Sequence, residues 1–308
     1  MAQMVIVVQA VSATSFTVYS NLATIRILSR GKCGLSRCVT RYLVAMAVVD
    51  LLIIIFDLIL RRIPIIYQMR FFRELPVCNI HAVLLHAVTD CSVWFTVMFT
   101  FDRFVAISCR ILKHKYCIER TAKIVLGAVT VLCSLKNIFW YFMYARLYIW
   151  TVTEFLHYIL TPCVPFVFIL MLNALTIRHI LVASQARGRL RAQNCPRDPE
   201  IQNRRKSVLL LFFISGNFIL LWAVITVYSI WSRMWSMGYF TFHLPTFVAG
   251  LGFMFQMLSC CTNTCIYAIT QTRFRKQLMS VLKYPFSLLV GLNKHRNKIR
   301  CDSIIEPH

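Results

Sequence analysis

The residues that could do chemistry stand out because everything around them is apolar. Asp50 lies in "VAMAVVDLLIIIFD", Asp90 in "HAVTDCSVWF", and Asp102 and Arg103 in "FDRF". A charge among valines, leucines and phenylalanines costs on the order of 2.5–3.5 kcal/mol in a bilayer, so each of these groups needs a partner or a function. Asp102 and Arg103 can partner each other, an arrangement that also serves a solvated helix end. His86 and Asp90 are four residues apart and share a helix face, while Asp57 follows Asp50 by two turns. With aromatic surface from Trp94, Phe95 and Trp222, the candidate ligand-binding set is Asp57, His86, Asp90, Trp94 and Trp222. This is recognition chemistry. No nucleophile is paired with a base, and neither "SCC" at 259–261 nor the scattered histidines have the spacing of a metal site, so nothing supports an enzyme.

A second constellation is "NTCIYAITQTRFRKQL", residues 263–278. Asn263 and Tyr267 are one helical turn apart on one face, and the segment then turns basic at Arg273, Arg275 and Lys276.

The elements that must carry these residues are membrane spans. Of 308 residues 58% are hydrophobic and the mean hydropathy is +0.66, well above the roughly 45–50% apolar share of a soluble domain. Apolar windows of the ~20 residues needed to cross a bilayer fall at Met4–Leu28, Thr40–Leu60, Val77–Cys109, Lys123–Tyr144, Phe155–Leu181, Ser207–Trp231 and Leu244–Thr270. The first lacks a basic leader and a small-residue cleavage site, so it is expected to stay as an uncleaved anchor with almost no outer tail before it. The expected fold is an all-α bundle of seven spans over residues 1–271. Residues 272–308 are expected to form an amphipathic surface helix and a cytoplasmic tail, because Phe274, Leu278, Val281 and Leu282 alternate with Arg275, Lys276 and Lys283. The connection Val182–Lys206 reads as an extension of span five, a turn, and the start of span six. The segment Ala145–Glu154 reads as an outer loop.

The net charge of +23 could suggest nucleic acid, but its distribution points to a lipid bilayer. With the amino terminus outside, 25 of the 34 Lys and Arg residues fall on the inner side, six outside and three within spans. Arg61 and Arg233 are among the outer six, and Lys136 is within span four. This asymmetry places the amino terminus outside and the carboxyl terminus in the cytoplasm, with no nucleic-acid partner. Most of the 13 cysteines lie in spans or on the reduced inner side, and only Cys78 sits in an oxidising position.

Cys78 lies 25 residues before Arg103. Together with Asn21, Asp50, "FDRF", "LWAV" around Trp222 and "NTCIY", it gives a pattern that resembles the rhodopsin-like G protein-coupled receptors over essentially the whole chain. The segments "SVWFTVMFTFDRFVAIS", "RTAKIVLGAV" and "NTCIYAITQTRFR" look like the orphan branch that responds to aromatic amino acids and related peptides. The resemblance implies a plasma-membrane receptor with two partners, an extracellular small-molecule or peptide ligand and a heterotrimeric G protein. It implies an activation and coupling set of Asp102, Arg103, Phe104, Ile111, Leu112, Phe218, Trp222, Asn263 and Tyr267, with Val93 and Pro165 in the packing relay. It further implies an allosteric sodium ion, with no other cofactor, at Asp50, Ser92, Ser259 and Asn263 beside Asn21. A water-only hydrogen-bonded cluster is the alternative there.

The sequence departs from that pattern at Phe104, Val224, Thr264, Asn173 and Lys136. Val224 and Thr264 stand where spans six and seven carry prolines, and the outer-loop disulfide has no partner for Cys78. A non-coupling receptor-like scaffold or dimer partner is therefore the rival reading, with an ion-coupled transporter behind it. In that branch a zwitterion-matching pair is expected where this chain has Leu85 and Ile225, so an apolar or singly charged ligand that contacts His86 is expected instead of a free aromatic amino acid.

Overall fold

The fold comes from a computed structural model that describes residues 2–31, 33–62, 75–142, 147–190 and 199–281. Most of these residues are helical, and no strand occurs among them. Span one is α1, Ala2–Ser29. Gly31 and Gly34, with φ of 67° and 73°, turn the chain in a left-handed conformation that a side chain would disfavour. Ser36 then caps α2 by accepting from the Val39 N–H at 3.3 Å. α2 runs over Arg37–Ile53 and continues in wider π turns through Ile54–Arg62.

α3, Leu75–Ser108, is followed by a two-turn inner helix at Arg110–Tyr116. α4, Glu119–Asn137, tightens into a 3-10 turn at Ile138–Phe142. α5 comprises Leu147–Tyr158, a π turn at Ile159–Cys163, and Val164–Leu190. Its wide turn has a clear origin, because Pro162 and Pro165 lack the N–H groups that would close regular bonds to Tyr158 and Thr161. α6, Pro199–Ser236, runs without interruption, as expected of a span with Val224 where a proline would bend it. α7 is Thr246–Thr270; Gln271 leaves the helix with φ −117° and ψ 100°, and α8 follows at residues 272–281.

Segments at Arg37–Arg61, Val77–Ser108, Glu119–Phe142, Thr151–Ala183 and Ser207–Ser236 are long and apolar enough to cross a membrane, and α1 and α7 pack beside them. α3 is the central strut, touching α2, α4, α5 and α6, while α7 lies along α6 and α1. The main core gathers Leu43, Phe99, Leu210 and Tyr267. Phe274 of α8 is fully buried with its ring 5.8 Å from that of Tyr267, which docks the surface helix. Leu132, Val167, Leu220 and Met254 are exposed on the perimeter, where a bilayer rather than water makes apolar exposure favourable. Gly252 permits the close approach of α7 to α6, since a Cβ there would lie 2.9 Å from the Ile225 Cα.

One expectation needs correcting. The segment Ala145–Glu154 is helical from Leu147 on, so Glu154 belongs to the outer end of α5 and faces the bundle. The Trp150–Leu156 run, rich in β-branched and aromatic residues, extends the apolar face of span five and outweighs the single charge. The inner connection at 191–198 and the tail beyond 281, on which turn and tail expectations fall, lie outside the described residues.

Candidate functional site: a polar axis from inner switch to outer cavity

At the inner end of α3, Asp102 and Arg103 are both buried. Arg103 Nε donates to Asp102 Oδ2 at 3.0 Å, and its Nη2 bonds the same oxygen. The other oxygen, Oδ1, accepts from the Cys38 thiol of α2 at 3.1 Å, and the Asp102 carbonyl accepts from Cys117 at 3.5 Å. Burial and the adjacent Asp102 carboxylate push the Cys117 thiol up to about 12, so near neutral pH it stays a neutral donor. Asp102 is thus held by a guanidinium and a thiol at once. Phe104 is half-buried, and Ile111 and Leu112 stand exposed on the two-turn helix, at 83% and 51%, as an apolar inner surface.

Halfway along the bundle, Asp50 accepts from Asn263 Nδ2 at 2.8 Å and from the Ser92 hydroxyl at 3.3 Å. Ser259 is buried on α7. Asn21 does not reach Asp50; its amide donates to the Cys260 and Thr17 carbonyls and so ties α1 to α7. Thr264 strengthens that tie through its hydroxyl contact with Thr24 at 2.8 Å, occupying by hydrogen bonding the place where a proline would have broken the helix. The hydroxyl of Tyr267 is buried with no hydrogen-bond partner among the described residues, as is Oδ1 of Asn173, whose amide bonds Ser215.

Above this lies the packing cluster of Val93, Val97, Ile169, Phe218 and Trp222. The Phe218 and Trp222 rings are 5.3 Å apart, and Phe166, the neighbour of Pro165, brings α5 in at 5.5 Å from Phe218.

Trp222 also lines a cavity of about 300 Å³ together with Asp57, His86, Leu85, Thr89, His157, Thr161, Ile225, Phe253 and Met257. Two ion pairs stand in its wall: Asp57 with Arg61 at 3.5 Å, and Glu154 with Arg233 at 2.6 Å across α5 and α6. Asp57, His86 and Trp222 are therefore brought together, whereas Asp90 and Trp94 do not line the cavity. Trp94 packs between the two core clusters. Asp90 is turned toward α4, where Lys136 Nζ and Asn137 Nδ2 bond its Oδ2 at 2.8 and 2.7 Å. Lys136 also donates to Thr161 of α5 at 2.8 Å, so one ammonium joins three spans. His86 does not bond Asp90; it stacks on Trp140 with centroids 4.0 Å apart.

Residues 20–267 match the 7 transmembrane receptor (rhodopsin family). The chain belongs to that family. This rhodopsin-family protein is accordingly a multi-pass membrane receptor with a seven-helix bundle, and members of the family are not enzymes. The residues of this receptor that sequence reasoning missed are Cys38, Arg61, Glu154 and Arg233. The Asp57–Arg61 pair was legible as an i,i+4 pair. Glu154 and Arg233 are 79 residues apart and meet only through the packing of α5 on α6.

Proposed function

We propose that this receptor converts an extracellular small-molecule or peptide signal into activation of a cytoplasmic heterotrimeric G protein, with the amino terminus outside. The observation that carries the reading is the buried Asp102–Arg103 pair at the inner end of α3, held by the Cys38 thiol, together with a buried Tyr267 hydroxyl that has no hydrogen-bond partner among the described residues. A buried polar group left unsatisfied costs roughly 1–3 kcal/mol, so a packing in which Tyr267 swings to a partner and Arg103 leaves Asp102 competes with the one described. Ligand in the outer cavity would bear on Trp222 and Phe218 and, through them, on the relation of α5, α6 and α7. The released inner face, with Ile111 and Leu112 exposed, would then receive the G protein. The "NTCIY" and "FDRF" segments support a place beside the branch responsive to aromatic amino acids and related peptides.

The Asp50 cluster suits a sodium ion. Its carboxylate is buried, no cationic side chain bonds it among the described residues, and the nearby Ser92 hydroxyl is a hard oxygen donor. Asp50 and Ser92 would hold the ion, with Ser259 and a rotated Asn263 amide completing the shell. A bound cation would neutralise the Asp50 charge and hold α2, α3 and α7 together.

The straight α6 and the Thr264–Thr24 tie favour a second reading, a receptor-shaped scaffold or dimer partner that does not couple. Nucleotide exchange on reconstituted G proteins of each class separates the two. Exchange above that of receptor-free membranes is expected for at least one class. Its absence in every class, with the receptor intact at the cell surface, would establish the scaffold.

A further inference from the structure

We propose that the outer cavity takes a small amphiphile with an anionic head, specifically a carboxylate, gripped by Arg61 and Arg233 while its apolar body rests on Leu85, Trp222 and Phe253. This rests on the reading of the chain as a ligand-triggered receptor and specifies the ligand class for its cavity.

Among the described residues, the charges in the cavity wall cancel in number but not in accessibility. The side chains of Arg61 and Arg233 are 50% and 33% exposed, whereas those of Asp57 and Glu154 are 7% and 14% exposed. A ligand entering the cavity therefore meets guanidinium before carboxylate. A cationic ligand would have to pass both arginines and displace one of them from an acid already sunk in the wall, at the cost of desolvating a second cation beside it.

The arginines also keep donors in hand. A guanidinium carries five N–H groups in a rigid fork matched to carboxylate. Among the described residues, Arg61 gives Nη1 to Asp57, at the 3.5 Å limit of a hydrogen bond, and Arg233 gives Nη2 to Glu154. Both arginines line the same cavity, and Arg233 stands about three turns along α6 from Trp222. The same lining offers apolar surface from Leu85, Trp222, Ile225, Phe253 and Met257. Arginines and an apolar surface in the lining of one space of about 300 Å³ suit a small amphiphile.

A carboxylate drawing on Arg233 would compete with Glu154 for it and so loosen the contact between the outer ends of α5 and α6. Binding is thereby linked to the two helices whose relation the Phe166–Phe218 contact reports below.

The test uses the full chain in lipid nanodiscs and ω-phenylalkanoates of three to six chain carbons, each beside its neutral amide and its amine. Carboxylates are expected to raise the melting temperature, while amides and amines leave it unchanged. Arg61→Gln and Arg233→Gln should each weaken carboxylate binding at least about tenfold, and Arg233→Lys should weaken it less. Surface expression and the probe-free melting temperature report whether each variant folds, and Arg61→Gln stands alone should Arg233→Gln fail. Stabilisation by the amines and not the carboxylates overturns the proposal. So does carboxylate binding that is unchanged in both glutamine variants, or the absence of any carboxylate binding across the series. Basal nucleotide exchange of Asp102→Asn does not involve the cavity, so its failure would count against the receptor reading and not against the ligand class.

Discussion

If the Asp102–Arg103 pair acts as the proposed switch, Cys38 tunes its strength. A thiol is a weak hydrogen-bond donor, so Asp102 is held less firmly than a hydroxyl would hold it. Cys38→Ser should lower basal nucleotide exchange, and Cys38→Ala should raise it by roughly two- to fivefold, the equivalent of a hydrogen bond worth about 0.5–1 kcal/mol. Equal rises in both variants would mean that Cys38 acts through packing alone. At Asp50 the expected outcome is different in kind. Sodium at physiological concentration should raise the melting temperature and lower basal exchange, and Asp50→Asn should abolish both effects. A flat sodium titration in the parent receptor would leave a water-filled hydrogen-bonded cluster as the description of the site. A sodium gradient that drives ion flux would instead favour a transporter.

At the scale of elements, α3 is tied to α4 and α5 by the Lys136 ammonium rather than by aromatic packing alone. Lys136→Met strands the Asp90 carboxylate with Asn137 as its remaining close donor. It should cost about 1–3 kcal/mol of stability, less than a fully buried pair because the Lys136 side chain is 37% exposed. Asp90→Asn added to Lys136→Met should recover part of that loss, as a melting-temperature cycle would reveal; strictly additive losses would show that the two groups are not coupled.

How far these ties could be read beforehand follows from the range of the signal. The spans, the Asp102–Arg103 pair and the turn-spaced Asn263 and Tyr267 were legible because hydropathy and helical periodicity are local. The i,i+4 spacing of His86 and Asp90 was legible, but which neighbour each would meet depends on the packing of α4, 46 residues away for Lys136. Lys136 stood out in the sequence only as an oddity within an apolar span. The start of α5 was set too late because a single glutamate in an apolar aromatic run looked like a loop, whereas it is the partner of Arg233.

For the molecule as a whole, polar groups form a discontinuous axis through an otherwise apolar bundle: the cavity charges, the Asp50 cluster, and the inner pair. Apolar packing around Trp222 and Phe99 separates the three, so each can change state without flooding the core. In the proposed receptor mechanism, communication between them passes through helix displacement, chiefly of α6 and α7 against the central α3. The central claim is that the Asp102–Arg103 pair holds the receptor in its inactive packing and that Arg103 is needed for coupling. Basal nucleotide exchange in Asp102→Asn and Arg103→Ala receptors, each normalised to surface expression, tests it most directly. Arg103→Gln, which keeps donors toward Asp102, serves as the folding control. Exchange should rise above the parent in Asp102→Asn and vanish in both Arg103 variants while they remain at the surface. A fall in Asp102→Asn, or parental exchange in Arg103→Ala, would contradict it.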